Sequence, residues 1–278
     1  MGNLVSNRVT ISSGSGGLAE ARLEEILALL TGLEPGEARR RLEEGEPGYG
    51  AWLPFAFGGV TPEPQSLAAT GETEGQELGL AILSGPDSDY IRLLAGMDPF
   101  EDLMPPEMAR TRAAILKRHG LDGLQDADLL AEGEARFPEA IEAGRIAIRA
   151  YEETGHFNWL PWREKHWGTR CDAEEGLFRL DAEGALSVRF DTVNDVPIPF
   201  LKALAARFPA LMLDGAGFDE DTETSVFFAT EEPGLLVVAE EDDRDGVERA
   251  HEIVYGHRPE NDNEPDEDEP DEGDEFEL

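Results

Sequence analysis

An alternating hairpin pattern in the second half of the chain restricts the fold more than any other feature. The pattern predicts two strands, Leu177–Leu180 and Leu186–Phe190. Asp181–Gly184 separates them and places a glycine in the turn. Pro199–Phe208 follows with apolar residues at helical spacing, and Leu211–Leu213 begins another strand after Pro209. This half of the chain therefore predicts a hairpin, a helix and a strand, in that order.

The amino-terminal residues supply the elements that such a hairpin needs as neighbours. Leu4–Ser12 alternates β-branched and polar residues before a glycine-rich turn, and Leu18–Thr31 has apolar residues at helical spacing. The full order of strand, helix, hairpin, helix and strand is typical of an α+β, ferredoxin-like fold. We expect an antiparallel sheet with its helices on one face.

The middle of the chain departs from this simple order. Residues from about 34 to 75 are rich in glycine, proline and glutamate and predict an irregular excursion. Gln76–Leu83 fits either a second strand or a short helix. Residues from about 104 to 153 contain helical patterns and predict a helical insertion. With later strands near 225–229 and 235–239 and a last helix over Asp245–Tyr255, residues 1–257 are interpreted as a single domain.

The carboxyl-terminal segment has a different composition. Residues 258–278 contain twelve acidic residues and one basic residue, and only Phe276 and Leu278 are apolar. Because like charges repel and there is little to bury, the sequence predicts a disordered acidic tail.

The charge of the whole chain restricts its partners. Sixty-one acidic residues against 23 basic ones give a formal net charge of −38. Such a charge repels nucleic acid and anionic membranes, so we expect no direct binding to either. The complementary partner is a basic protein of a host or phage, which an acidic protein could bind by imitating DNA.

The candidate partner-binding residues lie in the longest acidic stretch. Leu211–Asp243 contains no lysine or arginine. Its carboxylates are Asp214, Asp219, Glu220, Asp221, Glu223, Glu231, Glu232, Glu240, Glu241, Asp242 and Asp243. General acidity is the competing explanation: with three lysines against twenty arginines, the chain also fits a host that accumulates salt or has a GC-rich genome.

A tryptophan-rich segment carries a family resemblance. Asn158–Asp172 contains three of the four tryptophans. Further matching blocks are Met1–Asn3, Ser6–Ile11, Pro99–Phe100, Leu103–Glu107, Phe190–Thr192, Pro197–Pro199 and Leu201–Pro209. Together they resemble a phage- and plasmid-borne family of uncharacterised proteins with a YubB-type ferredoxin-like domain. The resemblance implies the fold and a mobile-element origin, but it implies no catalytic role.

The same segment offers a candidate pocket. Its residues are Trp159, Arg163, His166, Trp167, Arg170 and Asp172. An enzyme of unknown class would need these side chains to converge with perturbed protonation. Large aromatic residues beside a sheet more often fill the core, so we expect the tryptophans to be packed and Cys171 to be a half-buried, inert thiol.

Motifs for cofactor and metal chemistry are missing from the sequence. It contains no phosphate-binding loop, dinucleotide fingerprint, nucleophile elbow or His-Glu-x-x-His helix. We therefore assign no catalytic, cofactor-binding or metal-binding residue, and the sequence favours a non-enzymatic protein.

Cysteine content and hydropathy suggest a compartment. A single cysteine excludes a disulfide within the chain, and neither a leader nor an apolar run of membrane-spanning length is recognisable, so we expect a cytoplasmic protein. Three hypotheses remain: an interaction protein of a mobile element that inhibits or modulates a host protein, an adaptor that recruits proteins through Phe276–Leu278, and an enzyme with a pocket at the tryptophan-rich segment.

Overall fold

The structure is a computed structural model that describes residues 3–14, 16–34, 36–45, 50–71, 74–85, 88, 90–91 and 105–259, with side chains in the last range from residue 110. The predicted tail therefore lies almost wholly outside the described residues, as does the block at residues 99–104. The described strands are β1 (Leu4–Ser13), β2 (Ala51–Phe55), β3 (Glu174–Leu180), β4 (Leu186–Val193), β5 (Leu211–Asp219), β6 (Thr224–Glu232) and β7 (Leu235–Glu241).

The described helices surround and extend this sheet. They are α1 (Glu20–Thr31), α2 (Glu37–Glu44), α3 (Gln65–Ala68), α4 (Glu74–Leu83), α5 (Pro105–Arg118), α6 (Asp126–Arg136), α7 (Pro138–Thr154), α8 (Trp159–His166), α9 (Ile198–Arg207) and α10 (Arg244–Tyr255). A 3-10 turn covers Phe57–Gly59.

The described strands form one antiparallel sheet in the order β2-β3-β4-β1-β5-β6-β7. Its central part, β3-β4-β1-β5, together with α1 and α9, has the split βαβ arrangement of a ferredoxin-like fold. The predicted α+β class is confirmed. β2 extends one edge of this unit, and β6 and β7 extend the other.

The predicted hairpin is present as β3 and β4. Asp181 organises its turn, because its Oδ1 accepts hydrogen bonds from the backbone N–H groups of Glu183 at 2.9 Å and Ala185 at 2.8 Å. Gly184 follows in the left-handed region with a φ of 84°, which a glycine adopts without strain. The local sequence therefore sets the pairing of the two strands.

The main core lies on one face of the sheet. α1 contributes Leu23, Ile26, Leu27 and Leu30, whose spacing was the basis for predicting that helix. A layer of phenylalanines fills the space between the sheet and α9. Its ring centroids approach to 4.5 Å between Phe55 and Phe190, and to 4.5 Å between Phe57 and Phe200.

The last helix covers the opposite face, where the sequence predicted none. Ala216 and Phe218 of β5 pack against Ala250 and Val254 of α10. β5 contributes to both faces of the sheet. Leu211 and Leu213 enter the main core, whereas Ala216 and Phe218 project from the opposite face toward α10. The sequence indicated the helix but not the side on which it packs.

The described residues between 34 and 75 are more regular than expected, which corrects the prediction of an irregular excursion. α2, β2 and α3 lie in this region, and β2 pairs with β3. Leu53 and Phe55 of β2 are buried in the main core. Pro54 obscured the strand in the sequence, yet proline is tolerated at a sheet edge, where one side of the strand has no ladder partner.

The helical insertion is confirmed, and it begins earlier than predicted. Gln76–Leu83 belongs to α4 rather than to a strand. α4 packs with α5, α6 and α7 around a second apolar cluster that includes Leu78, Ile82, Leu116 and Ile141. None of the described helices is long and apolar enough to cross a membrane.

Candidate functional site

The tryptophan-rich segment forms α8 and the turn that follows it. Asn158 caps the helix, because its Oδ1 accepts a hydrogen bond from the backbone N–H of Leu160 at 3.0 Å. Trp162 and Trp167 are buried in the main core, and Trp159 packs at its margin. The prediction that the tryptophans serve packing is confirmed.

Arg163 ties this segment to the loop after β2. Its guanidinium carbon lies 4.5 Å from the ring centroid of Trp159 and 4.8 Å from that of Trp167. The Oε2 atom of Glu63 accepts hydrogen bonds from Arg163 Nε at 2.7 Å and is 2.6 Å from Nη2. The indole N–H of Trp167 donates to the carbonyl of Thr61 at 2.9 Å. The guanidinium of Arg163 is therefore held by two aromatic rings and an ion pair, and it has a structural role.

The remaining candidate pocket residues have separate partners. His166 stacks on Trp162 with ring centroids 4.6 Å apart, and burial together with the charge of Lys165 lowers its pKa. Arg170 donates to the carboxylate of Glu164 at 2.8 Å on the surface. Cys171 is exposed rather than half-buried, which corrects the expectation for this thiol.

Asp172 anchors a backbone connection. Its Oδ1 accepts hydrogen bonds from the N–H of Phe57 at 2.8 Å and of Ala173 at 3.0 Å. Burial raises the pKa of this carboxyl, against the opposing effects of the two hydrogen bonds and the charge of Arg163. The carboxylate links β3 to the loop after β2.

The six candidate pocket residues thus contact one another only in part. Arg163 contacts Trp159 and Trp167 and donates to the backbone carbonyl of Arg170 at 3.4 Å, whereas the side chains of His166, Arg170 and Asp172 have other hydrogen-bond or stacking partners. Four cavities of about 400, 440, 480 and 660 Å³ in the described part of the chain are lined by other residues. No group of three or more His, Cys, Asp or Glu side chains within the described ranges is placed to hold a metal ion.

The acidic candidate residues gather mainly at one end of the sheet. The β5–β6 turn and the end of β7 lie there together, because Ser225 pairs with Glu241 and Val226 with Glu240. We call five exposed carboxylates in this region the acidic end: Glu220, Asp221, Glu223, Glu240 and Asp242. Neighbouring strands are about 5 Å apart, so these carboxylates form an array around one end of the sheet, with Glu240 projecting from the main-core face.

A shallow cavity opens within the acidic end. It has a volume of about 400 Å³, and Glu220, Glu223, Asp242 and Glu248 line it together with the apolar Phe218 and Val247 and the basic Arg244 and His251. The Nε of Arg244 donates to Glu248 at 2.8 Å, and Tyr255 donates its hydroxyl to Glu220 at 2.9 Å. Carboxylates outnumber cations in this lining.

Some predicted residues serve the fold instead. Asp219 is buried and accepts hydrogen bonds from the backbone N–H groups of Asp221 and Thr222. Asp243 caps α10 by accepting from the N–H of Gly246 at 2.8 Å, and Glu241 pairs with Arg249 at 2.7 Å. These three side chains hold the acidic end in place.

The other three acidic candidates lie apart from this array. Asp214 is paired with Thr10 across β5 and β1, and partial burial raises the pKa of its carboxyl. Glu231 and Glu232 are exposed at the end of β6, where the chain turns into β7 at the opposite end of the sheet. One acidic stretch in the sequence therefore contributes to two separated surfaces.

Comparison with known proteins gives no family assignment. No protein-family model and no curated protein matches this chain. A similar solved structure is the crystal structure of a protein api92 from Yersinia pseudotuberculosis, with the family model DUF1281. It is 12% identical, with a TM-score of 0.38, over 87% of this chain and 98% of that one. At this level, the likeness carries no argument about this chain.

Sequence reasoning missed two carboxylates that complete these regions. Glu63 binds Arg163 although 100 residues separate them, and its position between Pro62 and Pro64 gave no signal of a buried ion pair. Glu248 lines the acidic cavity from α10, beyond the acidic stretch that defined the candidate set. The four-residue spacing of Arg244 and Glu248 places both on one face of a predicted helix, but it gives no sign that they line a cavity.

Proposed function

We propose that this chain is a non-enzymatic interaction protein of a phage or plasmid, and that its acidic end binds a basic host protein as a DNA-like surface. The observation that supports the proposal is the grouping of Glu220, Asp221, Glu223, Glu240 and Asp242 in the β5–β6 turn and around the end of β7. Within the described ranges, none of these five carboxylates takes part in a salt bridge.

The rest of the acidic surface differs in this respect. On α2, for example, Glu37 binds both Arg40 and Arg41, and Glu43 binds Arg39. A carboxylate engaged with its own arginine offers little to a partner, whereas the acidic end keeps its charge available. The structural anchors Asp219 and Asp243 fix its shape before binding, which lowers the entropic cost of association.

The test compares two variants of equal net charge. One carries Glu220→Gln, Glu223→Gln, Glu240→Gln and Asp242→Asn. The control carries Glu231→Gln, Glu232→Gln, Asp122→Asn and Asp128→Asn at exposed positions elsewhere. A basic protein captured from host lysate is purified, and its affinity for each variant is measured at about 0.05 M and about 0.5 M salt.

The proposal requires the acidic-end variant to bind at least about tenfold more weakly at low salt, with the control close to the unmodified chain. Duplex DNA should compete for the same partner. Equal losses in both variants, or no basic partner at either salt, would assign the acidity to general solvation. Binding that disappears when residues 260–278 are removed, with the acidic end intact, would favour the tail as the recruiting element.

A further inference from the structure

One row of side chains crosses the sheet on the face opposite the main core. Trp52 of β2 pairs with Leu177 of β3. Arg189 of β4 pairs with Leu177 on one side and with Arg8 of β1 on the other. A residue next to each of them in the chain lies in the main core: Leu53, Phe178, Val188 and Val9. Since successive residues of a strand project from opposite faces, all four side chains share the outer face. We call Trp52, Leu177, Arg189 and Arg8 the transverse row.

α10 covers only one end of this row. Arg8 lies at that end, and its Nη1 donates to the carbonyl of Ile253 at 3.1 Å. At the other end, Trp52 is 54% exposed. Leu177, between Trp52 and Arg189, is partly exposed as well. The open end of the row therefore presents apolar surface next to a cation.

Arg189 is held in place but has no anionic partner. Its guanidinium carbon lies 5.9 Å from the ring centroid of Trp52 and 5.7 Å from that of Tyr255, at the end of α10. Within the described part of the chain, its N–H groups take part in no hydrogen bond and no ion pair. Two aromatic rings therefore position a cation whose capacity to donate hydrogen bonds is unused.

The pairing of two arginines favours an anion at this place. Arg8 and Arg189 occupy directly opposite positions on β1 and β4, and like charges in such positions destabilise a sheet. Burial, followed by the charges of Arg179 and Arg189, lowers the pKa of Arg8. Glu175 and Asp191 lie on the same face, two residues along β3 and β4, but neither forms an ion pair with Arg189. A further carboxylate on Arg189 would offset the repulsion.

The chain itself contains a segment of matching chemistry. Residues 260–278 include twelve acidic residues and no basic one, and Phe276 lies between two glutamates. The segment follows Pro259, which lines the cavity in the acidic end. Like charges there repel its carboxylates, whereas Arg189 attracts them. An aromatic side chain flanked by carboxylates complements an apolar surface beside a cation.

The segment is long enough to reach the row. Pro259 lies beside Phe218 of β5, and Phe276 follows it by seventeen residues. A chain of that length extends to roughly 55 Å. β5 and β2 are separated by β1, β4 and β3, so Trp52 is about 20 Å from β5 across the sheet. Phe276 can therefore reach the open end of the row without strain on the connecting residues.

We propose that residues 260–278 dock on the transverse row of their own chain. Phe276 packs against Trp52 and Leu177 and covers apolar surface that is otherwise exposed. The carboxylate of a glutamate beside Phe276 accepts hydrogen bonds from Arg189. The inference goes beyond the proposed function and does not depend on it, because the row and the acidic end consist of different residues.

Paramagnetic relaxation in NMR spectra of the full chain tests this docking. A nitroxide on Gly273→Cys, in a Cys171→Ser background, leaves every charge of the segment in place. At about 0.05 M salt it should broaden the indole N–H resonance of Trp52, and the broadening should decrease at about 0.5 M salt. The loss of this resonance in Trp52→Phe assigns it.

Two substitutions and a matched control locate the contact. Arg189→Gln should lower the docking equilibrium constant by about tenfold, and the broadening at Trp52 should fall with it. Phe276→Ala should also lower it, because the apolar contact is lost. Arg207→Gln removes the same charge as Arg189→Gln from an exposed site at the end of α9 and should leave the broadening unchanged. The amide spectrum confirms that each variant is folded.

Other outcomes would overturn the proposal. Absence of broadening at Trp52 would place the segment elsewhere, and equal losses in Arg189→Gln and Arg207→Gln would reduce the attraction to net charge. Broadening that survives Phe276→Ala unchanged would remove the apolar contact. In a mixture of nitroxide-labelled chains and isotope-enriched chains without the nitroxide, broadening at Trp52 would assign the contact to a second copy instead.

Discussion

Arg163 and Glu63 form an ion pair that joins α8 to the loop after β2, with Nη2 and Oε2 2.6 Å apart. Their side chains are only 26% and 12% exposed, and the Oε1 atom of Glu63 is buried with no hydrogen-bond partner among the described residues. Removing one member of such a pair leaves an uncompensated charge in a poorly solvated site.

We predict that Arg163→Met or Glu63→Met lowers the free energy of unfolding by about 2 kcal/mol, less than for a fully buried pair because Arg163 is partly solvated. The double variant should lose less than the sum of the two. Arg170→Met is the control, since the exposed pair between Arg170 and Glu164 should contribute under about 1 kcal/mol. Chemical denaturation measures the free energy of unfolding of the two single variants, the double variant and Arg170→Met. Strictly additive losses would show that the side chains of Arg163 and Glu63 are not coupled.

Two glycines allow α4 and α7 to cross closely. A Cβ atom added to Gly144 would lie 2.6 Å from the backbone carbon of Gly79. Because backbone cannot yield as a flexible side chain does, we predict that Gly144→Ala costs about 1–3 kcal/mol of stability. Gly58→Ala is the control, because nothing lies within 4 Å of its added Cβ. Equal unfolding temperatures for the two variants would contradict the close crossing.

The elements that the sequence predicted well have strong local signals. The β3–β4 hairpin has alternation and a turn glycine, and α1 and α9 have apolar residues at helical spacing. β2 has neither signal: it is only five residues long and contains Pro54. These residues form a strand only by pairing with β3. Local patterns also cannot show which face a helix covers, so α10 was placed correctly along the chain but not in space.

In the candidate sites, too, local sequence patterns predicted some features, whereas others depend on how the strands pair. The acidic stretch was readable from composition, yet only the register of β6 and β7 shows that Glu223 and Glu240 share an end of the sheet while Glu231 does not. The grouping of three arginines on the sheet face opposite the main core had no sequence signal at all. Arg8, Arg179 and Arg189 are separated along the chain and become neighbours only through strand pairing.

Lys165 should tune two histidines. Burial and the charge of Lys165 lower the pKa of both His156 and His166, and burial is the larger cause. We predict that Lys165→Gln raises both pKa values, but not fully to that of a free histidine. Titration by NMR measures this. Lys202→Gln, on α9, is the control and should change neither value; an equal shift in both variants would assign the effect to net charge.

The same histidines predict how stability depends on pH. A histidine whose pKa is lowered in the folded state binds fewer protons there than in the unfolded state just below its ordinary pKa of about 6.5. Stability should therefore fall as the pH drops below about 6.5. His166→Gln should flatten this part of the profile, and an unchanged slope in thermal unfolding would contradict the assignment.

Glu223 occupies a backbone conformation that favours glycine. Its φ is 52°, in the left-handed region, where an ordinary side chain costs about 1–2 kcal/mol. Glycine removes that cost but loses more entropy on folding, so we predict that Glu223→Gly raises the free energy of unfolding by about 0.5–1 kcal/mol. Asp221→Gly, in the same turn but without a positive φ, should lower it.

This substitution also bears on the proposed role of the acidic end. If Glu223 contributes to partner binding, Glu223→Gly should bind the basic partner more weakly while being more stable. Glu223→Gln separates the two effects, because glutamine removes the charge but keeps the length of the side chain and the cost of the left-handed backbone. A stabilised Glu223→Gly protein with unchanged affinity would show that this carboxylate is not part of the contact, and would restrict the binding surface to Glu220, Asp221, Glu240 and Asp242.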